Sequence, residues 1–305
     1  MALDDVAAGG TRKLPMLDRR RIVGLGAAGL VTAAGVRTAG WVNILLGAAN
    51  LIENGDASVS ESAYGTAPRQ QYDVYRPAAT PLGEARPVVM FVHGGSWQSG
   101  DKSLYRFVGQ ALAQLGFIAV LPNYGLMPEQ RFPGFVQDVA QAFAHAHARV
   151  AAWGGDPRRV FVMGHSAGAH IAALLCYDAR YLAAHQLSTS NVTGYIGLSG
   201  PYDFVLDSDL LRATFAGPAE REYDAQPVHF ATAASPPSLL VMGRDDTTVR
   251  PRNTTSLAAH LRSVGGRVEE LWVPGEHGAT VGAFARVSRS DSVVVDRVGA
   301  FVRNG

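Results

Sequence analysis

Cysteine is nearly absent. The 305 residues contain one, Cys176, which excludes an internal disulfide and any metal site built from several thiolates. It ends the run Ala172-Ala173-Leu174-Leu175-Cys176, an apolar helical stretch in which a thiol behaves as a small core residue. Net charge is equally scarce: 27 Lys and Arg stand against 26 Asp and Glu, for a balance of +1. No basic stripe interleaved with aromatics is present, so nucleic acid is not an expected partner. There is no tandem repeat, and no uninterrupted apolar run reaches the 18 or so residues of a membrane-spanning helix. What is plentiful is apolar sequence, 47% of the chain. That suffices for a large core in one α/β domain with appended elements.

The first 55 residues differ from the rest. Arg12, Lys13, Arg19, Arg20 and Arg21 precede a Gly- and Ala-rich apolar segment, Ile22 to Val36, and after Arg37 a second apolar stretch runs from Trp41 to Ile52. A basic region before a short apolar one is the pattern of a secretory signal, and Asp18-Arg19-Arg20-Arg21-Ile22-Val23 resembles a twin-arginine signal. The expectation is a signal or membrane anchor over residues 1–55, with the protein exported (periplasmic in a bacterium) or tethered to a membrane. The alternative is an amphipathic helix packed on a cytoplasmic domain. Residues 56–305 are expected to form the folded domain.

Within that domain strands and helices alternate. Gln70–Tyr75 alternates polar and apolar residues, as a half-buried antiparallel strand does. Val88–Val92, Ile118–Leu121, Val160–Met163, Tyr195–Leu198, Leu239–Met242 and Val268–Val273 are short apolar runs of the kind that form buried parallel strands. Helical periods fall between them, at Leu104–Leu115, Phe135–Trp153, Ala167–Cys176, Thr255–Val264 and Asp291–Val302. Alternation of this kind predicts an α/β fold, a mostly parallel central sheet with helices on both faces. Ligands of such sheets sit beyond the carboxyl ends of the strands, so chemistry is expected just after each strand.

Four strand ends carry candidates. Gly164-His165-Ser166-Ala167-Gly168 is G-x-S-x-G between a strand and a helix, the context of a nucleophile elbow. A Ser hydroxyl needs a base, and among nine His His277 alone lies just past the last strand, close to the C-terminus. His165 and His170 flank the elbow and read as packing. The base in turn needs a carboxylate to hold its tautomer and stabilise its charged form. Gly243-Arg244-Asp245-Asp246-Thr247-Thr248-Val249 offers two, of which spacing favours Asp246 over Asp245; Asp203 is a weaker third. Finally, His93-Gly94-Gly95-Ser96-Trp97 leaves the Val88–Val92 strand with two bare residues. Backbone N–H groups freed in this way can hold an oxyanion. Gly94, Gly95 and Ala167 are the expected donors, and Trp97 and Tyr202 the expected substrate contacts.

These residues together resemble the α/β-hydrolase fold, in the carboxylesterase/lipase branch whose oxyanion loop has the form HGG[GSA]-W. That branch takes in hormone-sensitive-lipase-like esterases, bacterial feruloyl-esterase-like enzymes, kynurenine formamidases and isoprenylcysteine methylesterases. The match runs from about Tyr64 to Phe301 through Tyr72-Asp73-Val74-Tyr75-Arg76-Pro77, the glycine loop, Gly155-Asp156-Pro157, the elbow, Leu198–Asp203 and Gly243–Val249. It implies a serine esterase that needs no cofactor or metal, acts on a small-molecule acyl ester, and carries a small cap over residues 203–236. A formamidase or amidase using the same triad is the alternative, and a catalytically silent binding protein a more remote one. One departure is visible: relatives carry Arg where this chain has Gly125, in Tyr124-Gly125-Leu126-Met127-Pro128-Glu129.

Overall fold

Eight strands hydrogen-bond into one sheet in the order β1-β2-β4-β3-β5-β6-β7-β8. They are β1 (Ser58–Ala63), β2 (Gln71–Arg76), β3 (Arg86–Val92), β4 (Ile118–Pro122), β5 (Gly155–His165), β6 (Gly194–Leu198), β7 (Ser238–Gly243) and β8 (Val268–Val273). From β4 onward every neighbouring pair is parallel, while β1 and β2 pair antiparallel at one edge. The computed structural model describes residues 46–53, 55–78, 85–217 and 219–305. The expected signal or anchor segment therefore lies almost wholly outside the described residues; among those described, no helix is long and apolar enough to cross a membrane.

Helices cover both faces, and the sheet divides the core in two. On one face Val88, Met90, Val92, Val120 and Val162 pack with the helices Gly134–His147 and Ala167–Tyr177; on the other Val89, Phe91, Phe161 and Met163 pack with Arg106–Gln114 and Val293–Asn304. Alternate residues of one strand thus enter different cores, which is why these strands are apolar without interruption.

Most boundaries shift by at most three residues, and three departures from the sequence pattern are of another kind. The expected helix 135–153 ends at His147, and a separate turn of 3-10 helix, Val150–Trp153, leads into Gly154 at φ 84°. An Ala-rich stretch carries helical propensity through the break, so composition hides it. The strand expected at 160–163 runs from Gly155 to His165. β1 follows the short linker without any apolar signal: it is an exposed edge strand, Ser-Val-Ser-Glu-Ser-Ala, held by its ladder to β2.

Candidate active site

Five adjacent strands end on the same edge of the sheet, so the residues that follow β3, β5, β6, β7 and β8 come together there. The turn after β5 is the sharpest. Ser166 has φ 56° and ψ −124°, a left-handed conformation that a residue with a Cβ adopts only under strain. Its N–H donates to Leu198 O at 2.9 Å, which ties the turn to β6. The helix Ala167–Tyr177 starts at once, so the Ala167 N–H has no carbonyl one turn earlier to bond and stays available.

Close backbone contact makes this turn possible. A Cβ on Gly168 would lie 2.1 Å from Val92 O and 2.4 Å from His93 O. Both atoms are main chain at the end of β3, so neither can swing aside. Gly168→Ala is expected to destabilise the fold by about 3 kcal/mol, the upper range for forced overpacking, and a urea titration reads this directly. Wild-type stability in that variant would mean that β3 and the elbow are farther apart than described.

The glycine loop after β3 lies against the elbow: the Cβ that Gly94 lacks would fall 3.2 Å from Ser166 Cβ. Gly95 takes φ 136°, and its carbonyl accepts from Gln98 N, Ser99 N and Ser99 Oγ, closing the loop on itself. Ser96 and Trp97 follow at φ 53° and 58°. Glycine takes positive φ freely, but two consecutive residues with a Cβ there are costly, and the surroundings hold them. The Tyr124 hydroxyl donates to His93 O at 2.8 Å, and Arg69 donates to both Tyr124 O and Gly100 O. Asp101 accepts from Asn123 Nδ2, whose Oδ1 accepts from Lys102 N. Lys102 reaches back to Asp73 and Glu61, 2.6 Å each, clamping the descending arm of the loop to β1 and β2. Burial alone would lower the Lys102 pKa; its two carboxylate partners outweigh that and raise it. The sequence pattern does not show these supports, because each joins residues far apart in the chain.

The carboxyl end of β8 brings His277 to the same edge. Its Nδ1 lies 2.8 Å from Asp246 Oδ2, and its ring centroid 4.9 Å from that of His165, the residue before Ser166. Asp246 is buried, and its second oxygen accepts from Thr248 N and Val249 N. Two main-chain amides therefore fix the carboxylate with its other oxygen toward the imidazole. Asp245 points elsewhere, accepting from Gly275 N at 3.0 Å on the exposed side. Asp203 is farther away in role: it accepts from Ser256 Oγ. Asp246→Asn should lower kcat about 10⁴-fold, since an amide oxygen neither compensates a charged imidazole nor enforces its tautomer. Asp245→Asn should stay within a few-fold of wild type. Equal losses in steady-state kinetics would overturn that division.

Trp97 stands in an aromatic cluster with Phe204 and Phe215 of the 203–236 segment; the Trp97 and Phe215 ring centroids are 4.9 Å apart. Its indole N–H donates to His170 Nδ1 at 3.3 Å, and His170 Nε2 donates to Ala225 O at 2.8 Å. One buried imidazole, four residues after Ser166, thus joins the glycine loop to the cap. Tyr202 corrects an expectation. It is fully buried beneath Gly197 and Gly200, and its hydroxyl accepts from Tyr195. Its N–H, like that of Asp203, donates to Asn253 Oδ1. It supports the root of the cap rather than facing a substrate. The missing Arg at position 125 is also accounted for locally: Gln130 fills the space beside Gly125, whose N–H donates to buried Asp138.

Known proteins resemble this chain in sequence and in fold. The BD-FAE family model matches residues 72–261. Esterase LipC of Mycobacterium tuberculosis is 33% identical over 235 residues, covering 70% of this chain and 58% of LipC. The isoprenylcysteine alpha-carbonyl methylesterase ICME of Arabidopsis thaliana is 30% identical, covering 70% of this chain and 54% of its own. The chain thus spans a little over half the length of these curated relatives. Among solved structures, esterase B of Lactobacillus rhamnosis superposes with a TM-score of 0.73 at 20% identity, over 88% of this chain and 94% of that one. With a family model spanning residues 72–261 and an α/β-hydrolase sheet beneath it, the chain belongs to the BD-FAE family.

Proposed function

We propose that the chain is a serine carboxylesterase that hydrolyses small to medium carboxylic esters through an acyl-enzyme. The observation that carries this reading is the pairing of half-buried His277 with buried Asp246 beside the strained turn at Ser166. Ser166 Oγ attacks the ester carbonyl as His277 Nε2 takes its proton. Asp246 holds Nδ1–H and offsets the charge that the ring then carries. The amides of Gly94, Gly95 and Ala167 face the developing oxyanion, each such donor being worth roughly 10²–10³ in rate. His277 returns the proton to the leaving alcohol, and a water repeats the sequence to free the acid. Trp97 is the apolar wall offered to the acyl group, backed by the fully buried Phe215. The curated relatives named esterase and methylesterase support the same reading. The basic and apolar pattern of residues 12–52 supports export or anchoring of this activity.

The test is substrate ranking with a covalent probe. A fluorophosphonate should label one site, recovered by mass spectrometry on the peptide that contains Ser166. p-Nitrophenyl butyrate should be cleaved with a higher kcat/KM than N-formylkynurenine. The reverse ranking would make the chain a formamidase with the same machinery, and no labelling of folded protein would overturn the serine mechanism.

A further inference from the structure

The elbow needs glycines on either side of Ser166, but it does not need an imidazole at position 165. His165 nonetheless ends β5 with 1% of its surface exposed, and its ring contacts that of His277. Its Nε2 lies 3.3 Å from the His277 main-chain oxygen. A carbonyl oxygen can only accept, so Nε2 carries the proton. Nδ1, buried on the side of Gly94, has no hydrogen-bond partner. A bare nitrogen lone pair tolerates that position; a second N–H would not. Geometry alone therefore selects one neutral tautomer. Burial acts in the same direction and, with His277 alongside, pushes the pKa of His165 down to about 3.

His277 has need of such a neighbour. It sits on the stretch 274–278, where Pro274, Glu276 and Gly278 are exposed. Asp246 fixes the rotation of its ring but not the height of its peptide above the sheet. Resting on the serine mechanism proposed above, we propose that His165 is a positioning residue: its Nε2–H holds the His277 peptide to the end of β5, so that nucleophile and base ride on one rigid element. Residues 165 and 166 are consecutive, so any shift of the elbow carries the base with it. An error near 1 Å in such a pair costs on the order of 10²-fold in rate, and a held loop keeps that error small.

The experiment uses the full-length protein with p-nitrophenyl butyrate. His165→Gln retains an N–H at the reach of Nε2; His165→Asn places its amide near the Nδ1 position instead; His165→Leu removes the donor at similar volume. Expected values of kcat are within about threefold of wild type for Gln and lower by about tenfold or more for Leu and Asn, with KM changed less than about twofold in all three. A Leu variant that fails to fold leaves the Gln and Asn pair to decide. Folded variants that all match wild type, or a Gln variant as slow as Asn, would overturn the role. A second readout needs no turnover: the downfield Nδ1–H proton resonance of His277 should be sharp in wild type and His165→Gln and broadened by exchange in His165→Leu or His165→Asn. That pattern in a protein that cleaves no ester would uphold the positioning and sink the esterase reading. Ester turnover with an unchanged resonance in every variant would do the opposite.

Discussion

Ser166→Ala should remove ester turnover by about four orders of magnitude or more while leaving the protein folded. Two nearby nucleophiles are not free to replace the hydroxyl: Cys176 is buried in the core, and Ser199 Oγ is engaged with Thr280 Oγ1 at 3.0 Å. Some catalysis over water should persist, because the donors of the glycine loop and His277 with Asp246 survive the substitution. Ser166→Gly should be equally inactive but more stable, by about 1 kcal/mol, since a residue without Cβ relaxes the strain at φ 56°. A melt and a p-nitrophenyl butyrate assay on the three proteins read both quantities. Retained turnover in Ser166→Ala would place the nucleophile elsewhere. Destabilisation in Ser166→Gly would mean that the turn stores no strain.

That pairing of stability and activity explains what could be read from the chain in advance. G-x-S-x-G is a short pattern that chance supplies readily, but a buried strand before it and a helix after it are constraints of backbone geometry, and those were legible in Val160–Met163 and Ala167–Cys176. His277 was legible from its place after the last apolar strand, and Asp246 was favoured by spacing alone. Tyr202 was misjudged because a residue following a strand can turn into the core or toward the opening, and only the contacts with Gly197, Gly200 and Tyr195 decide which. The supports of the glycine loop were illegible for a different reason. Glu61 and Lys102 are 41 residues apart, and Arg69 and Gly100 are 31 apart, so their pairing depends on strand order. β1 escaped notice because an edge strand needs a ladder, not an apolar face. His165 and His170 were read as packing, and packed they are. What sequence could not supply is the partner of each ring nitrogen.

Those same histidines set how the protein meets acid. Stability should fall steeply from about pH 6 downward, beginning above the range in which ordinary carboxylates titrate. His93, His165 and His170 are all fully buried. Burial, the dominant cause for each, pushes their pKa values from 6.5 down to about 4, about 3 and about 4. In the unfolded chain all three return to the ordinary value. Above pH 6.5 both states are neutral, and the folded form keeps its full stability. As pH falls, the unfolded chain binds three protons that the folded form refuses, so each unit of pH removes about 1.4 kcal/mol per histidine, or about 4 kcal/mol for the three. The loss levels off only below the folded values. Since a domain of ordinary stability has roughly 5–15 kcal/mol to lose, unfolding is expected near pH 5. Urea titrations at pH 7, 6 and 5 measure the slope. His170→Gln, which keeps a donor toward Ala225 without a titrating ring, should cut the slope by about a third, though it weakens the fold at pH 7. A flat stability from pH 7 to 5 would mean that these rings are reached by water or protonated in place. The consequence for function is that esterase activity at low pH should be lost with the fold itself, and should return on neutralisation if the unfolded chain has not aggregated.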